Sequence, residues 1–144
     1  MIAIDTNVLL RYLLEDDVKQ SKKAATIING SEDVLITDIV LVESIWTLKG
    51  KKYNLDKNSI IDVINALFTE PNIRFEDQQT VWRALIDYSK AQAVKVGSKK
   101  KQADFPDALF VNKARYITNN FDLKFNGAYS FDVAAQEIPE IKKP

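Results

Sequence analysis

Five acidic residues fall where apolar segments end or helices begin, and theirs are the side chains whose types and spacing could do chemistry: Asp5, Glu43, Asp104, Asp107 and Asp122. Asp5 follows Ile2-Ala3-Ile4, an apolar run without polar alternation that suits a strand buried on both faces in the middle of a parallel sheet. Ligands of open α/β sheets bind beyond the carboxyl ends of strands, so Asp5 stands where a parallel-sheet enzyme would hold a ligand or a metal. Glu43 sits between Val40-Leu41-Val42 and Ile45-Trp46, in a helix that reads as buried on most sides. An ionised carboxylate there costs roughly several kcal/mol unless it is paired, hydrogen-bonded or bound to a cation. Asp104 and Asp107 flank Phe105-Pro106 at the start of a helix, and Asp122 follows the apolar run Tyr116-Ile117-Thr118.

Each acid also has an ordinary structural reading. Asp5 can help cap the following helix together with Thr6 and Asn7, Asp104 can be an N-cap, and Asp107 a first-turn acid that favours the positive end of the helix dipole. Glu43 can lie on a narrow solvent stripe, and Asp122 can cap the turn at Leu123-Lys124-Phe125. Those separate readings leave unexplained why all the acids fall at segment starts and strand ends.

Residue types that are missing narrow the chemistry further. The chain has no histidine and no cysteine. Ser-His and Cys-His nucleophilic catalysis, paired-histidine ribonuclease chemistry, His-ligated zinc or iron, thiolate zinc sites and disulfides are therefore excluded. An enzyme built from what remains would work through carboxylates, which suit hard cations such as Mg²⁺ or Mn²⁺. Lys plus Arg number 20 and Asp plus Glu 20, so no global basic field draws in nucleic acid and any such binding must come from local clustering. Lys99, Lys100 and Lys101 form such a cluster, within a polar loop, Gly97 to Gln102. Its ordinary meaning is a solvated connection; its functional one is contact with a polyanion.

The elements that must position these residues alternate along 144 residues, about one domain's worth of chain. After the first strand, Val8, Leu9, Leu10, Leu13 and Leu14 recur at helical spacing. Residues 18 to 29 read as a second helix stopped by Asn29-Gly30-Ser31, and Val34-Leu35-Ile36 as a second strand. Thr37 caps a helix through about Lys49, with Gly50 past its end. Asp56 or Asn58 opens another, carrying Ile60, Ile61, Val63, Ile64, Leu67 and Phe68 and ended by Pro71. Asn72 to Phe75 reads as a third strand, and Asp77 to about Val96 as a long helix. Asp104 then opens a helix that gives way to a fourth strand at Tyr116-Ile117-Thr118 and a turn at Asn119 to Asp122, while Ala128 to Ile138 supplies a fifth strand. Strand and helix alternation with short connections predicts an α/β fold in one domain, 1 to 144: a three-layer α/β/α sandwich around a mostly parallel sheet of four or five strands. Asp5 interrupts the first apolar run with no basic residue before it, and no uncharged run approaches the ~18 residues of a membrane span. A soluble cytoplasmic protein is expected.

The ordered set Ile4-Asp5-Thr6-Asn7-Val8-Leu9, Val42-Glu43, Asp104-Phe105-Pro106-Asp107-Ala108-Leu109 and Asn120-Phe121-Asp122 resembles the PIN domain, especially the VapC-type toxin ribonucleases. The resemblance implies an endoribonuclease whose acids hold one or two Mg²⁺ or Mn²⁺ ions for RNA phosphodiester hydrolysis. By position, Asp5, Glu43, Asp107 and Asp122 match the acidic quartet, Asp104 an acid often present just before the third, and Thr6 and Asn7 the polar pair beside the first. Where many members carry Thr-Phe-Asp near the end, this chain has Asn120-Phe121-Asp122, and Asn120 can still hydrogen-bond a ligand or neighbouring acid. The resemblance also implies a homodimer and a small antitoxin that blocks the acidic pocket with a basic side chain.

Ionised carboxylates share a small pocket only when cations neutralise them, so metal belongs to the expected site. Asp5 is its expected central ligand, Asp107 and Asp122 complete it, and Glu43 binds metal or positions water. Two rivals are distinguishable. A phosphoryl-transfer enzyme of the haloacid-dehalogenase type also begins with an aspartate after its first strand, but would want an acid where Asn7 stands. A catalytically silent PIN-like module would bind RNA or protein with no Asp5-dependent metal uptake, and a non-toxin RNA-processing nuclease would share every motif.

Overall fold

The computed structural model describes residues Met1–Pro144. The chain divides into two compact units, Met1–Asp77 and Gln78–Pro144. Across both it is mixed α/β, with six α-helices and a parallel three-stranded sheet, so the expected fold class is borne out.

In the first unit, β1 (Ile2–Ala3), β2 (Val34–Ile36) and β3 (Ile73–Phe75) pair in parallel in the order β1-β2-β3. Two helices fill each connection: α1 (Thr6–Leu14) and α2 (Val18–Ile28) before β2, then α3 (Asp38–Lys49) and α4 (Lys57–Thr69) before β3. Parallel strands need such crossovers, because a hairpin can join only antiparallel neighbours. β2 is the middle strand, and Val34 and Ile36 are fully buried. Also buried in this unit are Leu9 of α1, Ile28 of α2, Leu41, Ile45 and Leu48 of α3, and Ile60, Ile64 and Leu67 of α4. β1 was expected in the middle of the sheet with both faces buried. It is an edge strand of the three, with Ala3 exposed and only Ile4 beyond it buried.

The helix starts follow local hydrogen bonding. Asp5, Asp17, Thr37 and Asp56 each accept a bond from the amide three residues on, which satisfies one of the donors a helix leaves orphaned at its N-terminus. Asp5 itself is the cap of α1; Thr6 and Asn7 lie inside the helix.

In the second unit, α5 (Gln78–Lys90) ends sooner than expected. The residues assigned to its last turn and to a polar loop instead form an antiparallel hairpin, β4 (Val94–Val96) with β5 (Lys99–Lys101). The signal lies in Val94-Lys95-Val96, a β-branched alternation, followed by Gly97 at φ +63 in the turn, a left-handed conformation that only glycine adopts at little cost. α6 runs Phe105–Asn120, so Tyr116-Ile117-Thr118 is helix and the expected fourth strand does not exist. Tyr116 and Ile117 lie on its exposed face. Once the capped first turn forms, propagation through Lys113-Ala114-Arg115 outweighs the small strand preference of the apolar residues beyond.

The expected fifth strand is reduced to β6 (Ala128–Tyr129), which pairs in parallel with β7 (Ile141–Lys142) across a 3-10 turn at Ala135–Glu137. Tyr88, Phe105, Val111, Ala135 and Ile138 are fully buried here, and the rings of Tyr88 and Phe105 meet edge to face at 5.9 Å. No helix is long and apolar enough to cross a membrane.

Candidate functional site

The first unit supplies Asp5, Thr6, Asn7 and Glu43. Asp5 leaves the carboxyl end of β1 with extended backbone, φ −90, ψ 175, and its Oδ1 accepts from the Val8 amide at 2.9 Å. That bond uses one carboxylate oxygen and leaves Oδ2 without a protein donor. The next residue, Thr6, donates its hydroxyl to Oε2 of Glu43 on α3 at 2.7 Å. Glu43 is exposed and shares a solvent stripe with Ile39, Trp46 and Thr47, so the solvent-stripe reading holds. Buried-charge cost therefore does not explain it. The structure does fix its carboxylate beside the residue that follows Asp5. Asn7 is exposed and lines a cavity of about 260 Å³ along α1 and α2, together with Val8, Arg11 and Ala24.

The second unit supplies the other acids. Asp104 caps α6, accepting from the Phe105 amide at 2.8 Å, while Oδ2 of Asp107 accepts from the Asp104 amide at 2.7 Å. This reciprocal capping box, with Pro106 in the first turn, is the structural role each was given as an alternative. It also locks both carboxylates at one helix N-terminus. Asp122 is exposed at φ +53 in the turn beyond α6, and Asn120 is the last helical residue. The sequence reading places Asp122 after a strand at Tyr116-Ile117-Thr118. With residues 116 to 118 helical, that premise is gone.

An acid that does follow a parallel strand was missed. β6 runs directly into Ser130-Phe131-Asp132. Oδ1 of Asp132 accepts from the Ala134 amide at 2.9 Å, and the Asp132 amide donates to Oγ of Ser130 at 3.0 Å. This repeats at β6 the arrangement of Asp5 at β1: a carboxylate just past the strand, braced by a backbone amide two or three residues further on. Ser130-Phe131-Asp132 also fits the Thr-Phe-Asp pattern more closely than Asn120-Phe121-Asp122, because serine keeps the hydroxyl. The signal was readable in the tail, whose strand boundaries the alternation leaves weak. Arg115 on α6 steadies β7, its Nε donating to Oε2 of Glu140 at 2.8 Å.

Nowhere in the structure do three acidic side chains gather within reach of one ion. The donor chemistry nonetheless suits a hard divalent cation: carboxylates with a neighbouring hydroxyl, and no histidine or cysteine anywhere in the chain. Of the lysines, Lys99, Lys100 and Lys101 lie exposed on β5 rather than in a loop.

No curated protein matches the chain. The PIN domain family model matches residues 2–119, which takes in Asp5, Thr6, Glu43, Asp104 and Asp107 and stops before Asp122 and Asp132. With most of its length matched, and with six helices and a parallel sheet in agreement, the chain belongs to the PIN domain family, whose members are divalent-metal-dependent nucleases that act on RNA.

Proposed function

We propose that this protein is an endoribonuclease that hydrolyses RNA phosphodiester bonds with Mg²⁺ or Mn²⁺, one or two ions, and that it is the toxin of a VapBC-type toxin-antitoxin pair. The observation that carries the catalytic reading is the 2.7 Å bond from Thr6 to Glu43, which ties a second carboxylate to the residue that follows Asp5. Asp5, Glu43 and Asp107 are the proposed metal ligands. Asp132 takes the fourth place, which Asp122 was expected to fill. Thr6 and Asp104 hold their neighbours in position, and Asn7 is a further polar group beside Asp5. When bound, the ion lowers the pKa of an attacking water and offsets charge developing on the phosphoryl oxygens.

The toxin reading rests on the ordered motif set, which resembles that of the VapC-type ribonucleases. Ile39 and Trp46, two helical turns apart on α3, are 68% and 57% exposed. The resemblance also implies a homodimer, but this pair shares its face with Glu43, a proposed metal ligand, and so does not mark where a second copy would sit. Co-purification from the native host tests for an antitoxin.

The deciding experiment is cleavage of a defined RNA panel with Mg²⁺ or Mn²⁺ by wild type, Asp5→Asn and Asp107→Asn. Metal-dependent cleavage lost in both variants is expected. Wild-type protein that takes up metal yet cuts no RNA would favour the silent module, and Asp5-dependent turnover of small phosphate esters would favour the phosphoryl-transfer rival.

A further inference from the structure

We infer that the β4–β5 hairpin is a cationic ribbon that grips the backbone of single-stranded RNA, with Lys95 and Lys100 as the gripping pair. The inference rests on the ribonuclease reading proposed for the chain.

The strand register decides which lysines stand together. Lys95 lies directly opposite Lys100, Val94 opposite Lys101 and Val96 opposite Lys99. Directly paired residues share a face, so Lys95 and Lys100 stand together on one side of the ribbon. The other side carries Val94 and Val96, both half-buried, with Lys99 and Lys101 beside them. The valine side is thus the one turned toward protein. The Lys95–Lys100 side faces solvent, and no acid forms an ion pair with any of the four lysines.

Like charges opposite each other weaken a strand pair, so this arrangement does not serve the hairpin's own stability. Lysine also guards exposed strand edges against pairing with other chains, but a single charge on each strand at a different register achieves that without the repulsion. In a chain whose 20 basic and 20 acidic residues balance, four unpaired lysines within Lys95 to Lys101 form a local field of one sign. Its complement is a polyanion. Opposed residues stand only about 4.5–5.5 Å apart at the backbone, so the two ammonium groups on their flexible stems can reach successive phosphates of one strand.

Fluorescence anisotropy with a single-stranded RNA oligonucleotide across a salt series tests this, using the full chain and Lys95→Gln/Lys100→Gln. Lys22→Gln/Lys23→Gln on α2 controls for net charge. The wild-type slope of log affinity against log salt should shrink by about 1.4 in the hairpin variant, at ~0.7 for each lost phosphate contact, and stay unchanged in the control. The melting temperature of the hairpin variant should hold or rise as the repulsion is removed. A hairpin variant with the wild-type slope overturns the inference and leaves the ribonuclease reading standing. Self-association of that variant with unchanged RNA binding also overturns it, and assigns the lysines to edge protection. Wild-type protein that binds no RNA at any salt overturns both readings together.

Discussion

The Thr6 hydroxyl donates to Oε2 of Glu43 at 2.7 Å, joining residues 37 positions apart in sequence and tying the start of α1 to the middle of α3. Because Glu43 is exposed, nothing but this bond defines the direction of its carboxylate. Thr6→Val keeps the shape of the side chain and removes the donor. Loss of a group that orients a metal ligand typically lowers metal affinity or activity by about 10–100-fold. That loss is expected in Mn²⁺ titration and RNA cleavage, with an unchanged circular dichroism spectrum; wild-type values for both would show that Glu43 needs no such hold.

Asp132 and Asp122 make opposite predictions. Asp132 follows β6 and is braced by the Ala134 amide, whereas Asp122 sits at left-handed φ in an exposed turn. Asp132→Asn should reduce cleavage by at least about 100-fold, a loss beyond that of a merely orienting group, while Asp122→Asn should cleave as wild type does. Reversal of the two results would return the fourth ligand to Asp122.

Phe105 is fully buried and meets Tyr88 edge to face at 5.9 Å, immediately after the Asp104 cap. Phe105→Ala should cost ~3–5 kcal/mol in urea unfolding and carry the capping box with it. A loss below about 1 kcal/mol, small for an emptied aromatic site, would mean that this part of the second unit is loosely packed.

Tyr12 supplies a pH signature independent of the site. Burial, reinforced by its 2.7 Å hydrogen bond to Glu70, pushes the phenol up to about 12. A folded-state value above the unfolded one, near 10, contributes stability that is fully present below about pH 10 and is lost as pH rises through about 12. Wild type should therefore lose stability over that interval faster than Tyr12→Phe. Parallel curves for the two proteins would contradict the shift.

Periodicity exposed most of the first unit, because its strands are short apolar runs and its helices begin at Asp or Thr caps with free amides to satisfy. Long-range order was less visible. Ile2-Ala3-Ile4 reads as a central strand, but whether a strand is central depends on which partners pair with it, and local pattern carries no pairing information. Tyr116-Ile117-Thr118 shows the same gap in reverse. Three strand-favouring residues are too few to stop a helix already propagating from the Asp104 cap, and the misplaced strand drew attention to Asp122 instead of Asp132. At Lys99 to Lys101 charge was legible from composition, whereas Lys95 joined them only through the register of the hairpin. Asp5, Asp104 and Asp107 were legible from their positions at segment boundaries, which proved to be capping positions as well, whereas Glu43 lies in the middle of a helix.

Calorimetric titration with Mn²⁺ is the most direct test, because hydrolysis by this chain would depend on metal uptake through these carboxylates. Wild type should bind Mn²⁺, with affinity at least tenfold weaker in each of Asp5→Asn, Asp107→Asn and Asp132→Asn, a floor set by the smallest usual loss for a group supporting a metal. Wild-type protein that takes up no metal, or single variants that bind it as wild type does, would contradict the account.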